Sequence, residues 1–303
     1  MAKSEKMFIV DGNNWFTRNY FTEMKTMTEC MNRLIKLVQK HKGKIVWAFD
    51  TSKSKRRLAI YPEYKAGRKT SLSDEEYKEF VSLLVSFREL VTSMGFSVVC
   101  GNDYEADDYI SVLTLGFKKR FDVYIMSTDK DFLQLVDEHV FVINGKVDEF
   151  GSEIIVKPDN FKDIVGVGKE FFLDYKCIIG DNSDNIKGIE GIGEKTALKY
   201  IDLYGHYSEI KNAINEKVES AKLDKKVKVS KTELKFIEQE NNFNLAMEIC
   251  DLSIPQKDKE FREIVKDELS KRKGNKDKVK EILSMNNAKT QIDMAVALCS
   301  KIN

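Results

Sequence analysis

The sequence predicts an α/β fold in which a doubly wound, mostly parallel sheet is flanked by helices. Two observations support this prediction: short apolar strands alternate with helical stretches through the first half, and several of these strands end in an aspartate. After about residue 151 the strands give out, and the rest of the chain has a helical pattern. The 303 residues give ample length for a large core, and a charged fraction of 33% is typical of a globular protein.

Five short segments have the composition of buried parallel strands. They are apolar and rich in β-branched or aromatic residues. The predicted strands cover residues 7–10, 44–49, 96–100, 123–127 and 140–143. The clearest predicted helix follows Asp74, because apolar residues recur on one face until Gly95 ends the pattern.

Cysteine usage and hydropathy exclude several classes of protein. The five cysteines are odd in number, far apart and free of CxxC spacing, so we expect neither a disulfide framework nor a zinc site. No apolar run is long enough to span a bilayer, and the first residues lack the apolar segment of a signal peptide. We therefore expect a cytoplasmic protein without a membrane partner, located in the host cytoplasm if a phage encodes it.

Carboxylates follow three of the predicted strands. Asp11 ends the first strand, Asp50 ends the second, and Asp129 and Asp131 follow the fourth. The ligand crevice of an open α/β sheet lies beyond the carboxyl ends of its strands. We therefore expect these four aspartates to converge on one edge of the sheet.

Two further acidic groups accompany them. In YEADDYI, Glu105 and Asp108 are three residues apart and share a helix face, while Asp107 reaches inward only if the helix begins near it. In GDNSDN, Asp181 and Asp184 have the same spacing. An aspartate taken alone is most simply a helix cap or a turn residue.

Nine carboxylates that converge on one region require cations to offset their mutual repulsion. Two like charges about 4 Å apart repel by several kcal/mol at an intermediate dielectric. Because the ligands are oxygen atoms with neither histidine nor cysteine among them, Mg²⁺ or Mn²⁺ is the expected occupant. Two such metals close together are the usual apparatus for in-line attack on a phosphodiester.

Basic residues are concentrated in two segments. Between residues 51 and 70 there is one acid, Glu63, against Lys53, Lys55, Arg56, Arg57, Lys65, Arg68 and Lys69. The second segment has one acid, Asp224, against Lys222, Lys225, Lys226, Lys228 and Lys231. Charge runs are usually solvated surface, but local segregation of this kind also favours a polyanionic partner.

The sequence GIEGIGEKTALKYI has the pattern of a helix–hairpin–helix. Gly188, Gly191 and Gly193 permit a tight turn with exposed backbone, and the next helix presents its N-terminal amides to a phosphate. Lys195 adds a positive charge at that point. A plain glycine loop is the simpler alternative, but a hairpin directly after GDNSDN predicts contact with duplex phosphates without reading of base sequence.

Six motifs in a fixed order resemble the flap endonuclease/5′→3′ exonuclease family. They are IVDGNN, WAFD, YPEYKAGRK, YEADD, STDKDFLQL and GDNSDNIKGIEGIGEKTA, and the similarity runs from residue 7 to residue 255. That family includes phage enzymes and the N-terminal nuclease domain of bacterial DNA polymerase I. By position, the resemblance implies a first metal cluster of Asp11, Asp50, Glu105, Asp107 and Asp108. It implies a second cluster of Asp129, Asp131, Asp181 and Asp184.

The resemblance also implies roles for basic and aromatic residues. The segment 51–79 is similar to the family's helical arch, through or beneath which the free 5′ strand passes. Tyr64, Lys65 and Arg68 match its functional positions. The resemblance implies that the two cations hold the scissile phosphate and that the aromatic ring stacks on a base. Whether the arch forms a closed hole or an open clamp stays open. Lys176 matches a basic position near the active site, and the hairpin is expected to bind K⁺ through its carbonyl groups.

Taken together, the resemblance implies a nuclease core in residues 1–180, a helical duplex-binding region with a helix–hairpin–helix in residues 181–255 and a charged helical tail in residues 256–303. The implied activity is two-metal hydrolysis, with Mg²⁺ or Mn²⁺, of branched or 5′-flapped DNA and of RNA/DNA hybrids near single-strand/duplex junctions. The implied setting is replication and primer removal beside other replication proteins.

Two other classes of protein share part of this pattern. A phosphotransferase of the haloacid-dehalogenase type also has an aspartate after its first strand, but it needs a second one two residues later, where this chain has Asn13. A DNA-structure binder without catalytic activity would keep the fold and lose the acids. The complete set of nine carboxylates argues against that class.

Overall fold

A computed structural model describes residues 5–101, 103–271 and 274–302. These residues divide into two compact units. The sheet unit contains the described residues of Met1–Ser54, Thr70–Lys157 and Leu252–Asn303. The helical unit contains Lys55–Lys69 and Pro158–Asp251. The predicted boundaries at residues 180 and 255 concern roles in DNA binding and stay a prediction.

The sheet unit is built on six strands. They are β1 (Glu5–Asp11), β2 (Lys44–Asp50), β3 (Ser97–Gly101), β4 (Phe121–Met126), β5 (Val140–Val147) and β6 (Glu153–Val156). Their order across the sheet is β3-β2-β1-β4-β5-β6, with the first five strands parallel and β6 antiparallel to β5. The strand order reverses at β1, which is the doubly wound arrangement that the sequence predicts.

The prediction that strands give out after residue 151 is wrong. β6 pairs with β5 across a tight turn, in which the Asp148 carboxylate accepts hydrogen bonds from the amides of Phe150 and Ser152 at 2.9 and 2.8 Å. The run EIIV begins with an acid, whereas the predicted strands of the same length, 7–10 and 140–143, are apolar throughout. Two further short strands, β7 (Gly180–Asp181) and β8 (Ile186–Lys187), pair with each other in the helical unit.

Fifteen α-helices are assigned within the described ranges. In chain order they are α1 (Gly12–Thr22), α2 (Met27–Lys40), α3 (Lys55–Ile60), α4 (Asp74–Ser93), α5 (Ala106–Phe117), α6 (Phe161–Val165), α7 (Phe172–Ile179), α8 (Glu194–Tyr204), α9 (Tyr207–Leu223), α10 (Lys231–Glu238), α11 (Glu240–Cys250), α12 (Ser253–Lys257), α13 (Lys259–Ser270), α14 (Lys276–Met285) and α15 (Ile292–Ile302). Of the helices described, none is long and apolar enough to cross a membrane.

Aromatic side chains form the centre of the core between α1, α4 and the sheet. The rings of Trp15, Trp47 and Phe87 pack together with centroid distances of 5.3 to 5.6 Å. Val279 and Leu283 of α14 are fully buried in the same cluster. Burial of an aliphatic side chain of this size contributes roughly 1.5–3 kcal/mol. Helix α14 is therefore part of the core of the sheet unit.

Two arginines of the basic segment hold α3 in the helical unit. Arg56 Nη1 donates a hydrogen bond to the carbonyl of Glu248 at 2.6 Å, and Arg57 Nε donates to the carbonyl of Ile249 at 3.1 Å. Arg57 is only 2% exposed. Both acceptors belong to the last turn of α11, where carbonyl groups lack helical partners and cations are favourable. These two charges are therefore structural.

Candidate active site

The carboxyl ends of β1, β2 and β4 lie side by side at one edge of the sheet. Asp11 is the last residue of β1, and Asp50 is the last residue of β2. The hydroxyl of Ser127, which directly follows β4, donates to Asp11 Oδ2 at 2.8 Å and accepts from the amide of Asp129 at 3.1 Å. A single side chain thus links the aspartates of two neighbouring strands.

Helix α5 begins at the same edge. The amide of Ala106, its first residue, donates to Asp50 Oδ1 at 2.5 Å. The amide of Glu105 donates to Asp108 Oδ2 at 3.0 Å, and both of these acids are buried. Asp107 is half-buried and follows the first residue of the helix, so the helix start that its predicted role requires is present.

The surroundings of Asp11 disfavour its ionised form. Burial, together with the neighbouring carboxylates of Asp50 and Asp129, raises the pKa of Asp11 to about 7. Hydrogen bonds from Ser127 and from the amide of Asn14 lower this pKa and offset only part of the increase. A cation at this edge would stabilise the charged form of Asp11.

The donor set fits a hard divalent cation. Every candidate ligand at this edge is a carboxylate, and oxygen atoms are the ligands that Mg²⁺ and Mn²⁺ prefer. Within the described residues, no three acids, histidines or cysteines are close enough together to enclose a metal ion. Mg²⁺ usually keeps several waters and is held by one or two carboxylates, so a pre-formed cage is not required.

In the helical unit, the GDNSDN loop connects β7 to β8. Asp181 Oδ1 accepts from the amide of Ser183 at 2.8 Å, and Asp181 Oδ2 accepts from Lys176 Nζ at 2.9 Å. Lys176 is only 8% exposed. Burial opposes ionisation of Asp181, but Lys176 and the hydrogen bonds from Ser183 outweigh it and lower the pKa of Asp181 to about 2. This acid is thus charged and already compensated by the protein.

The predicted catalytic cations lie against Asp184. The amide of Lys65 donates to the Asp184 carbonyl at 2.9 Å, and Lys65 Nζ is 3.9 Å from Asp184 Oδ2. The guanidinium of Arg68 donates to the Ser183 carbonyl at 3.0 Å and pairs with the Asp184 carboxylate. Lys65 has φ +53°, a left-handed conformation that is uncommon for lysine. Such strain is often found at functional sites.

Tyr64 is buried beneath this segment. The stacking role predicted for Tyr64 needs an exposed ring, but the side chain is 1% exposed. Its ring centroid lies 4.9 Å from Lys65 Nζ and 5.9 Å from the Arg57 guanidinium carbon. In this conformation Tyr64 therefore supports the position of Lys65, and it presents no face to a base.

The three hairpin glycines differ in their backbone conformation and surroundings. Gly191 has φ +77°, which favours glycine. A Cβ atom on Gly188 would lie 2.3 Å from the carbonyl oxygen of Ile178, so a side chain cannot fit there. Gly193 has open space around it and precedes α8 without a side-chain cap. Access to the first amides of α8 is therefore clear, and Lys195 is exposed beside them.

Sequence reasoning gave no role to two polar residues that organise the acidic edge. One is Ser127, described above. The other is Asn14, whose Oδ1 accepts from the Thr128 amide at 3.1 Å and whose Nδ2 donates to Thr128 Oγ1 at 2.9 Å. Both residues stand inside or next to the quoted motifs IVDGNN and STDKDFLQL. Their position within three residues of Asp11 and Asp129 is the signal that could have identified them.

Two family models match the chain. The N-terminal resolvase-like domain of 5′-3′ exonuclease matches residues 6–166, and the C-terminal SAM fold of 5′-3′ exonuclease matches residues 167–263. A 5′-3′ exonuclease from Mycoplasmopsis pulmonis is 30% identical over 190 residues, which are 60% of this chain and 61% of that protein. A DNA polymerase I from Caldicellulosiruptor bescii is 30% identical over 278 residues, 85% of this chain and 30% of that protein. The chain thus spans less than two thirds of each relative.

Solved structures with the same fold include the phage T5 enzyme. A structure of T5 5′-exonuclease with bound zinc ions has a TM-score of 0.70 at 23% identity, covering 88% of this chain and 100% of that one. A complex of the T5 D15 flap endonuclease with DNA and metal ions has a TM-score of 0.65 at 20% identity, covering 93% of this chain and 99% of that one. At these identities the similarity shows the fold.

Proposed function

The chain belongs to the 5′-3′ exonuclease family, and from that premise we propose that it is a structure-specific 5′ nuclease. The substrate is branched or 5′-flapped DNA, or an RNA/DNA hybrid, which it cuts near the junction of single strand and duplex as flap endonuclease and 5′→3′ exonuclease. The biological setting is replication and primer removal. The observation that carries the proposal is the convergence of Asp11, Asp50 and Asp129 at one edge of the sheet.

The proposal assigns the acids to metal binding. When bound by these acids, Mg²⁺ would supply Lewis-acid stabilisation of the phosphate and activate water for attack. The assigned ligands are Asp11, Asp50, Glu105, Asp107, Asp108, Asp129, Asp131, Asp181 and Asp184. A bound cation would stabilise the ionised form of Asp11 in particular, since burial and its acidic neighbours raise the pKa of this carboxyl.

Lys65 and Arg68 are proposed to hold the scissile phosphate. Both cations lie against Asp184 in the free protein. A phosphate can replace this carboxylate as their partner, because guanidinium and ammonium groups donate to either anion. Their charge then offsets the negative charge that develops in the transition state. Lys176 stays beside Asp181 and keeps that acid ionised.

The hairpin is proposed to hold duplex DNA. Gly188, Gly191 and Gly193 shape the turn, and the first amides of α8 with Lys195 donate to a backbone phosphate. K⁺ bound through hairpin carbonyls would add a positive charge at this point. These contacts carry no base sequence information, which suits an enzyme that recognises DNA structure.

The structure weakens the phosphotransferase alternative. The position that would need a second catalytic aspartate is Asn13, whose Oδ1 accepts from the amide of Asp50 at 3.1 Å. Asn13 therefore holds the end of β2 in place and provides no carboxylate for phosphoryl transfer.

Metal dependence is the direct test of the proposed function. Cleavage of a 5′-labelled flap substrate should require Mg²⁺ or Mn²⁺, because the clustered carboxylates need a hard cation. Ca²⁺ should support binding but little turnover, since its coordination is looser. The measurement is product formation on denaturing gels with each metal in turn. Full turnover in EDTA would contradict the metal assignment.

The hairpin prediction concerns Gly191. Gly191→Val places a branched side chain at φ +77° and against Lys235 Nζ, 2.2 Å from the new Cβ. We expect roughly 10-fold weaker binding to duplex-containing DNA and unchanged binding to a single strand, because the phosphate contacts of the turn are lost. Fluorescence anisotropy with both DNAs measures the difference.

A matched control separates hairpin geometry from general strain. Gly166 has φ +90° in the same unit, with no atom near its virtual Cβ, so Gly166→Val introduces similar backbone strain elsewhere. It should destabilise the fold by about 1–3 kcal/mol and leave duplex affinity unchanged. Equal loss of duplex and single-strand binding in Gly191→Val would point to misfolding.

A further inference from the structure

The hairpin segment 188–195 carries more negative than positive charge on its own side chains. Its sequence, GIEGIGEK, contains Glu190 and Glu194 against a single cation, Lys195, and all three are exposed. A surface that binds backbone phosphates needs a positive potential. Cationic side chains from another part of the helical unit can supply additional positive charge.

Helix α10 places a lysine against this hairpin. A Cβ atom built on Gly191 would lie 2.2 Å from Lys235 Nζ, so the ammonium group rests on the glycine turn. The side chain of Gln239, at the end of α10, accepts from the amide of Glu190 at 2.7 Å and fixes the helix to the hairpin. Among the residues described, no acid pairs with Lys235. Its charge is therefore available to an anion.

The same face of α10 extends this positive surface. Lys231 is four residues before Lys235, so the two side chains lie on one face, about 6 Å apart along the helix axis. The connection before α10 adds the exposed side chains of Lys225, Lys226 and Lys228. In the part of the chain that the structure describes, none of these lysines forms an ion pair with an acid. The positive charge of these lysines is therefore not neutralised by ion pairs with the described acids.

We propose that these five lysines form a lysine strip that continues the phosphate contact of the hairpin along the backbone of a DNA duplex. The lysine strip consists of Lys225, Lys226, Lys228, Lys231 and Lys235. The inference rests on the proposed role of the hairpin in duplex binding. Unpaired cations bind phosphates through charge and release counterions, so the strip strengthens binding without reading base sequence. Lys235 is the most important lysine of the strip, because its positive charge also offsets the excess negative charge of the hairpin.

The test is the salt dependence of duplex binding by the full chain in EDTA. Lys235→Gln should weaken binding to a blunt duplex roughly 3- to 10-fold and reduce the slope of log affinity against log salt by about 0.9, the effect of one lost phosphate contact. Lys235→Arg keeps the charge and should keep the slope. Fluorescence anisotropy over a series of KCl concentrations measures both quantities.

Lys211→Gln is the matched control. Lys211 Nζ lies 2.5 Å from Glu240 Oε1 in the same unit, so its charge is already used by an acid, and the slope should not change. Equal slopes for Lys235→Gln and the unsubstituted chain would overturn the lysine strip while leaving the hairpin proposal intact. Absence of duplex binding by the unsubstituted chain would overturn both proposals. A similar loss of slope in Lys211→Gln would show a general charge effect and also overturn the strip.

Discussion

Replacement of Asp129 by asparagine is expected to slow 5′-flap cleavage by roughly 10³-fold or more, with DNA affinity unchanged or slightly higher. Asp129 is a proposed metal ligand, and a bound metal contributes several kcal/mol of charge stabilisation, which corresponds to such a factor. In the unsubstituted chain, Asp129 Oδ1 accepts from the amide of Asp131 at 2.8 Å. Asparagine keeps this acceptor, so the turn should persist. Single-turnover cleavage in Mg²⁺ and a binding titration in Ca²⁺ measure the two effects separately.

Asp122→Asn is the matched control on β4, the strand that precedes Asp129. Asp122 lies near the opposite end of β4, where its carboxylate is 3.1 Å from His139 Nδ1. Cleavage by this variant should proceed at the normal rate. If Asp129→Asn lost DNA binding while its turnover rate stayed unchanged, the assignment of Asp129 to a catalytic metal would be wrong.

Removal of the Lys65 side chain is expected to slow the chemical step by roughly 10²-fold or more, the scale of losing one preorganised electrostatic contact. In Lys65→Ala the backbone hydrogen bond from residue 65 to the Asp184 carbonyl, 2.9 Å long, can remain. The position of the loop should therefore be kept while the ammonium group is lost. Single-turnover cleavage of a saturating 5′-flap substrate isolates this step, and affinity for plain duplex should change little.

Lys69→Ala removes a neighbouring charge from the same basic segment and serves as the control. Lys69 is exposed, and in the described ranges it forms no ion pair. If the segment only steers DNA electrostatically, both variants should show slower association, weaker salt dependence of association and a normal rate once bound. That pattern would show that Lys65 only attracts DNA through its charge and takes no part in the chemical step.

The acidic edge is the part of the site that the sequence predicts best. Each strand-terminal aspartate is recognisable from a few neighbouring residues, and parallel pairing brings Asp11 and Asp50 to the same edge. The start of α4 is equally local, because Ser73 and Glu76 form a capping box. Features of this kind need no knowledge of distant contacts.

Roles that depend on packing between distant segments could not be predicted. Arg56 and Arg57 have the same local pattern as the other basic residues, and only the fold shows that they donate to carbonyls almost two hundred positions later. The burial of Tyr64 and the position of Lys235 on the hairpin have the same origin. In each case, the partner is chosen by tertiary structure and leaves no signal in the neighbouring sequence.

The packing of α14 onto α4 has a consequence for biosynthesis. During synthesis the sheet strands and α4 leave the ribosome before the main part of the helical unit, and α14 with its buried Val279 and Leu283 follows that unit. At about 5–20 residues per second, the part of α4 that α14 covers stays without this partner for roughly ten to forty seconds. Nascent chains should need chaperone protection in this interval, and a chain truncated before α14 should aggregate during expression.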